Sequence, residues 1–250
     1  MNACRLILDE QPGSGPWNMA VDEALLQSAV DGNDVTVRIY RWSEATLSLG
    51  YFQPGIAAND DPKFAKLPAV RRLSGGGAIL HHHEITYSCA VPADHPASQV
   101  PTGIYVQAHT AIIKVLNGLG IAAALRGASH GSSADAFLCF SRGDPHDLLL
   151  CGHKIVGSAQ RRRRGAVLQH GSLILRRSEY APEHPGVLDL TDRLKVDDRL
   201  PAVIGSSIAE LLSDRVDEGP LTASERQLAI ALMVEKYSRL EWRLRTPAHS

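Results

Sequence analysis

Apolar residues first recur at helical spacing between Pro16 and Val30, where Trp17, Ala20, Val21, Ala24, Leu25 and Ala29 share one face. Pro16 suits a first helical turn and Gly32 a stop, so the pattern predicts a helix here. Period-two alternation follows. Val35, Val37 and Ile39 form one side of DVTVRIYRW, Leu47, Leu49 and Tyr51 one side of ATLSLGY, and Ile85, Tyr87, Cys89 and Val91 one side of EITYSCAV. Such alternation predicts half-buried strands of an antiparallel sheet, with Cys89 in the core.

GIYVQAHTAIIKVLNGLG returns to the helical period, with Gly120 as its stop, and IAAAL reads as a short strand. Two further strands, DLLLCG and AVLQHGSLIL, flank a run of four arginines, Arg161 to Arg164. The run itself reads as a solvated hairpin turn; its functional alternative is a docking patch for an acidic protein. From Pro201 to Leu244 two helical segments are expected, broken near Gly219 and Pro220. Strands in the middle and helices toward the ends predict an α+β fold with a mixed, mostly antiparallel sheet flanked by helices. Residues 1–250 read as one domain, with the helices of 201–244 as at most a small lobe.

Composition narrows the function. The chain carries 26 basic and 27 acidic residues, a balance that argues against a dedicated nucleic-acid binder. No apolar run reaches the roughly 18–20 residues of a membrane span, and the N-terminus lacks the long apolar stretch of a signal peptide. A cytoplasmic protein is expected. Its four cysteines, Cys4, Cys89, Cys139 and Cys151, form no C-x-x-C pair, so disulfides are not expected.

Two stretches carry chemistry. In RRLSGGGAILHHHEITYS, Gly75, Gly76 and Gly77 let backbone N–H groups approach a ligand, and the preceding arginines suit an anion. A flexible hairpin loop is the plainer reading. His81, His82 and His83 invite a metal, but on a strand only His81 and His83 would share a face, and no H-E-x-x-H or cysteine partner stands nearby. No metal is expected, and the three read as polar turn residues, one of which could line a pocket. In FLCFSRGDPHDLLLCGHKIVGSAQ, Cys139 precedes Lys154 across a turn at SRGDP. A cation beside a thiol favours the reactive thiolate, so the pair could carry an acyl group as a thioester. A buried, inert Cys139 is the simpler reading of the residues alone, and Cys151 reads as structural.

Together the two stretches resemble the lipoate-protein ligase and octanoyltransferase superfamily, closest to the LipM-type octanoyltransferases. The carriers are R-R-x-[ST]-G-G at Arg71 to Gly76 and K-x-x-G-S-A-Q at Lys154 to Gln160. PWNMAVDEALL looks like the family's first helix and YRWSEATLSLGYFQP like its following hairpin. Likeness extends from about Leu6 to Tyr237. It implies the fold of biotin- and lipoate-ligase catalytic domains. Cys139-Phe140 stands where the LipM type keeps its cysteine, and HHHEITYS is closer to the transferases than to the ligases. GDPHD departs from the family loop, with His146 where an aromatic or polar residue is usual. The sequence shows no match to the accessory domain many ligases carry, which is expected of a transferase and also of ligases that keep that piece as a separate chain.

The resemblance implies that Cys139 is the acyl-thioester nucleophile and that Lys154 assists it and relays protons. Arg72, Ser74, Gly75, Gly76 and Gly77 would shape the carbonyl end of the site, with His81 facing substrate. Gly157, Ser158 and Ala159 would form its floor, beside His170 and Gly171. The implied activity is octanoyl transfer in lipoate assembly, with acyl carrier protein as donor and a lipoyl domain or glycine-cleavage H protein as acceptor. No cofactor is then needed. The alternatives are an ATP-dependent lipoate ligase, needing ATP and Mg, and a non-catalytic binder of acyl groups or lipoyl domains.

Overall fold

The structure is a computed structural model, and it describes residues 3–55, 62–127, 137–194 and 199–245. Its strands are β1 (Ala3–Leu8), β2 (Val35–Tyr40), β3 (Thr46–Leu49), β4 (Ala69–Arg71), β5 (Ile79–His81), β6 (Glu84–Val91), β7 (Ala124–Leu125), β8 (Leu148–Leu150), β9 (His153–Arg163), β10 (Ala166–Ile174) and β11 (Arg215–Glu218). Its helices are α1 (Gly15–Val30), α2 (Pro96–Gln99), α3 (Gly103–Gly118), α4 (Val187–Leu190), α5 (Leu200–Leu212), α6 (Ala223–Leu232) and α7 (Leu240–Leu244). None of these is long and apolar enough to cross a membrane.

Eight strands form one sheet in the order β11-β1-β2-β6-β10-β9-β8-β7. The pairs on either side of β1 are parallel and the rest antiparallel, so the sheet is mixed and mostly antiparallel, as expected. One face carries α3 and α5 over Leu6, Val37, Ile39, Tyr87 and Val91. The other carries α1 and α6 over Ile7, Tyr40, Ala90 and Leu168. Because helices cover both faces, β2 and β6 are buried at every position rather than at alternate ones. That corrects the half-buried expectation: alternation marked the more apolar side, while Arg38, Thr86 and Ser88 on the other side are buried with partners.

Two local readings change. β2 and β3 do not form a hairpin with each other, since β3 lies in a separate three-stranded sheet, β4-β3-β5. Nor is the whole arginine run a turn. Arg161, Arg162 and Arg163 end β9, and only Arg164 (φ 48°) and Gly165 (φ 86°) make the turn into β10. The strand tolerates them because each guanidinium has a place: Arg161 over the Tyr51 ring, Arg162 on the Ser98 carbonyl at 2.6 Å and Arg163 on Glu23 at 2.8 Å.

α1 begins where expected, with Ser14 accepting from the Trp17 N–H and Pro16 in the first turn. It is buried on nearly all sides, including Asn18, Asp22 and Glu23. Buried carboxylates must be paired. Glu23 takes Arg163, Lys236 and Tyr237, which joins the π-helical turn Met233–Tyr237 to α1. Asp22 takes Arg38, Tyr40, Ser88 and His170.

Candidate active site

The site is built where the two sheets meet. After β4 the chain turns through Ser74 and the three glycines into β5. Arg72 is almost fully buried beneath this loop. Its guanidinium donates to the carbonyls of Ser48 (2.7 Å), Gly75 (2.6 Å) and Gly77 (2.7 Å). The neighbouring Arg71 donates to carbonyls of Gly50, Tyr51 and Gln53 and of Arg243 in α7. Both arginines therefore organise backbone instead of standing free for an anion. Each carbonyl aimed at Arg72 turns the next N–H the opposite way, because the peptide is planar and trans. Gly76 N–H consequently points away from Arg72. Gly76 has φ 89°, which strains any other residue.

Cys139 docks directly on this loop. Its N–H donates to the Ala78 carbonyl (2.7 Å) and the Ala78 N–H to the Phe137 carbonyl (2.9 Å). Leu138 is packed in the small core of Leu47, Leu49 and Phe64. The cysteine opens a single 3-10 turn, Cys139–Ser141, and is half-buried. A β-carbon placed on Gly76 would lie 3.2 Å from Arg72 Nη2 and 3.9 Å from Cys139 Sγ, so guanidinium and thiol flank the same small space. Desolvation pulls the Arg72 guanidinium down to about 10, opposed by the charge of Cys139; it stays cationic at neutral pH.

Lys154 reaches the same turn from β9. Its Nζ donates to the carbonyls of Cys139 (3.1 Å) and Arg142 (3.3 Å) and pairs with Asp147 at 2.9 Å. Burial pushes the Asp147 carboxyl up, and the Lys154 ammonium opposes that shift. Gly157 makes the geometry possible: a β-carbon there would stand 2.6 Å from Lys154 Cε. The lysine thus meets the cysteine's carbonyl, with Asp147 holding it.

The other predicted residues form a polar chain behind the loop. Ser74 Oγ lies 2.5 Å from His170 Nε2, and His170 Nδ1 lies 3.0 Å from Asp22 Oδ2. Burial alone would raise the Asp22 carboxyl; His170, Arg38 and Ser88 hold it below its ordinary value, so it is an anion that accepts the Nδ1–H. His170 Nε2 shares the next hydrogen bond of the chain with the Ser74 hydroxyl. His81 is buried, paired with Glu84 at 2.6 Å and stacked on Trp42 at 3.8 Å. Arg72, His81, His170 and Gly171, with Met19, Tyr40 and Ile79, bound a narrow cleft with room for about one water molecule. Ser158 lies opposite Gly171 and meets His109 Nε2 at 2.9 Å. Ala159 is buried opposite His170.

Of the remaining cysteines, Cys4 and Cys89 are buried, and burial pushes the Cys4 thiol up to about 12 and Cys89 well above its ordinary value. Cys151, read from the sequence as structural, is exposed in a tight turn with φ 49°. The sequence reading missed Asp22, Asp147, Glu84 and His109. Asp22 left one trace, an acid inside an apolar helical pattern.

The lipoyl protein ligase A/B catalytic domain model matches residues 14–211. An octanoyltransferase LipM of Kyrpidia tusciae is 33% identical over 96% of this chain and 98% of its own length. One from Carboxydothermus hydrogenoformans is 30% identical over 95% and 97%. A Thermoplasma acidophilum protein solved with bound lipoic acid is 25% identical, covers 98% of this chain and 100% of its own, and superposes with a TM-score of 0.76. The chain belongs to the lipoyl protein ligase A/B catalytic domain family.

Proposed function

We propose that this chain transfers octanoyl groups in lipoate assembly, from acyl carrier protein to a lysine of a lipoyl domain or glycine-cleavage H protein, through a thioester on Cys139. Two relatives named octanoyltransferase match it end to end at 30% identity or more, which supports the reaction class. The single observation that supports the mechanism is the docking of the Cys139 turn on the glycine loop, with the Lys154 amine at its carbonyl.

In the first step Cys139 Sγ attacks the acyl carrier thioester, the C–S bond to pantetheine breaks, and the pantetheine thiol leaves with a proton. Arg72 puts positive charge beside the space where the sulfur anion forms, and the Lys154 ammonium holds the backbone carbonyl of the same cysteine. The Gly76 N–H is our candidate donor to the oxyanion, the kind of preorganised contact that does most for acyl transfer. In the second step the acceptor's lysine amine attacks the enzyme thioester, an amide C–N bond forms, and Cys139 leaves as the thiol. Lys154, held by Asp147, relays the proton. The narrow cleft beside Arg72 and His170 is our candidate entry for the alkyl chain, which gains about 0.8 kcal/mol per buried methylene once the lining side chains move apart to admit it.

The test is transfer without ATP. Octanoyl acyl carrier protein and an apo lipoyl domain are mixed with the enzyme, and octanoylated domain is counted by mass. Transfer should proceed, and Cys139→Ala should abolish it. A strict ATP requirement with an active Cys139→Ala would instead identify a ligase, and binding without product in either assay a non-catalytic binder.

A further inference from the structure

The histidines after β5 are not explained by this reaction. A continuous strand would put His81 and His83 on one side. The bend between β5 and β6 breaks that alternation. His81 turns inward to Glu84, while the His82 and His83 rings stack with centroids 3.6 Å apart and planes 24° apart. Glu179, beyond β10, brings a carboxylate oxygen to 3.5 Å from His82 Nδ1. One donor atom from each of His82, His83 and Glu179 lies within 4.8 Å of the others, and no other such group of three stands among the described residues. We propose that His82, His83 and Glu179 bind one divalent transition-metal ion of the zinc class, with water completing the shell.

The donor set carries the choice of ion. Two imidazole nitrogens and one carboxylate oxygen suit Zn²⁺, whereas Mg²⁺ and Ca²⁺ take oxygen donors throughout. Metal–ligand bonds of about 2.0–2.2 Å in a tetrahedron put neighbouring donors about 3.3–3.6 Å apart. His82 and Glu179 already stand at 3.5 Å. His83 is exposed, so a small ring rotation brings it in. Ser178 Oγ, 3.0 Å from His82 Nδ1, gives up that hydrogen bond when the nitrogen takes the ion.

The location gives the ion a role apart from the reacting thiol. His82 and His83 line the rim of a small, mostly apolar pocket whose wall includes Leu138 and Phe140, the two neighbours of Cys139, and His184. The ion ties the bend of β5 and β6 to the segment around Ser178–Ala181 across that rim. It stabilises the folded chain by mass action without entering the acyl transfer.

The test uses tag-free, chelator-stripped full-length protein titrated with Co²⁺ and Zn²⁺. One equivalent of Co²⁺ should bind, with the intense visible bands of a four-coordinate nitrogen and oxygen set and no sulfur-to-cobalt charge-transfer band. Zn²⁺ should displace it and raise Tm by a few degrees. His83→Ala and Glu179→Gln should each weaken binding at least tenfold while leaving the metal-free Tm unchanged. A sulfur charge-transfer band, affinity unchanged in both variants, or no saturable binding overturns the proposal.

Discussion

At the residue scale, the site depends on a lysine folded over a glycine. Gly157→Ala would drive a β-carbon to 2.6 Å from Lys154 Cε and 3.0 Å from Nζ, so the amine must leave the Cys139 carbonyl. A displacement of about 1 Å at a reacting group costs on the order of 10²-fold in rate. We expect Gly157→Ala to lose about that much in kcat for transfer with an unchanged circular dichroism spectrum. Retained activity would show that the lysine need not sit where it does. The sequence marked both residues through K-x-x-G, but Gly157 read there as floor for an acyl chain, and only the fold shows that the lysine fills the space its missing side chain leaves. Asp147 was harder to see, since HDLLL reads as an acid before a strand. Asp22 and His170 were harder still: 148 positions separate them, and only the fold brings a helix and a strand into one hydrogen-bonded chain.

At the element scale, α1 is fixed to the sheet by polar contacts buried between them. Arg38 on β2 is fully buried and bonds Asp9, Asn18 and Asp22. Arg38→Leu leaves Asp22 in the interior without its guanidinium, and losing one partner of a buried pair costs about 3–5 kcal/mol. Urea unfolding should show a loss of that size; a loss under about 1 kcal/mol would mean that solvent reaches Asp22 and compensates. The same burial explains which elements the sequence hid. β9 ends in arginines, a composition that reads as a turn, yet each arginine finds a carbonyl, ring or carboxylate. β4 and β5 are three residues long, too short for a periodic signal. α1 and α3, sixteen residues each, were visible because their apolar spacing runs over four turns.

At the scale of the whole molecule, helices on both faces leave polar groups sealed inside, and one of them sets a pH response. His109 is buried between α3 and β9, donates through Nδ1 to the His146 carbonyl and accepts from Ser158 at Nε2. Burial lowers it from its ordinary 6.5 to about 4. Between those values the unfolded chain binds the proton and the folded chain does not, so protonation favours unfolding. Stability is complete above pH 6.5 and falls as pH drops toward 4, by about 3 kcal/mol for this group alone. Buried His81 is shifted the same way by desolvation and adds to the slope. Urea midpoints measured across this range should fall with pH, and His109→Gln should flatten the fall. An equal slope in both proteins would place the response elsewhere. The mostly antiparallel sheet and the flanking helices were readable in order along the chain. Their stacking on two faces was not, because alternation cannot distinguish a sheet covered once from one covered twice when the second side is polar and paired.

The most direct measurement is the mass of the enzyme itself after brief mixing with octanoyl acyl carrier protein and no ATP, followed by acid quench and proteolysis. One added octanoyl group is expected, sensitive to hydroxylamine and carried by the peptide containing Cys139, and it should disappear when an apo lipoyl domain is added. An unmodified Cys139, or an octanoyl group found on another residue while product still forms, contradicts the thioester mechanism.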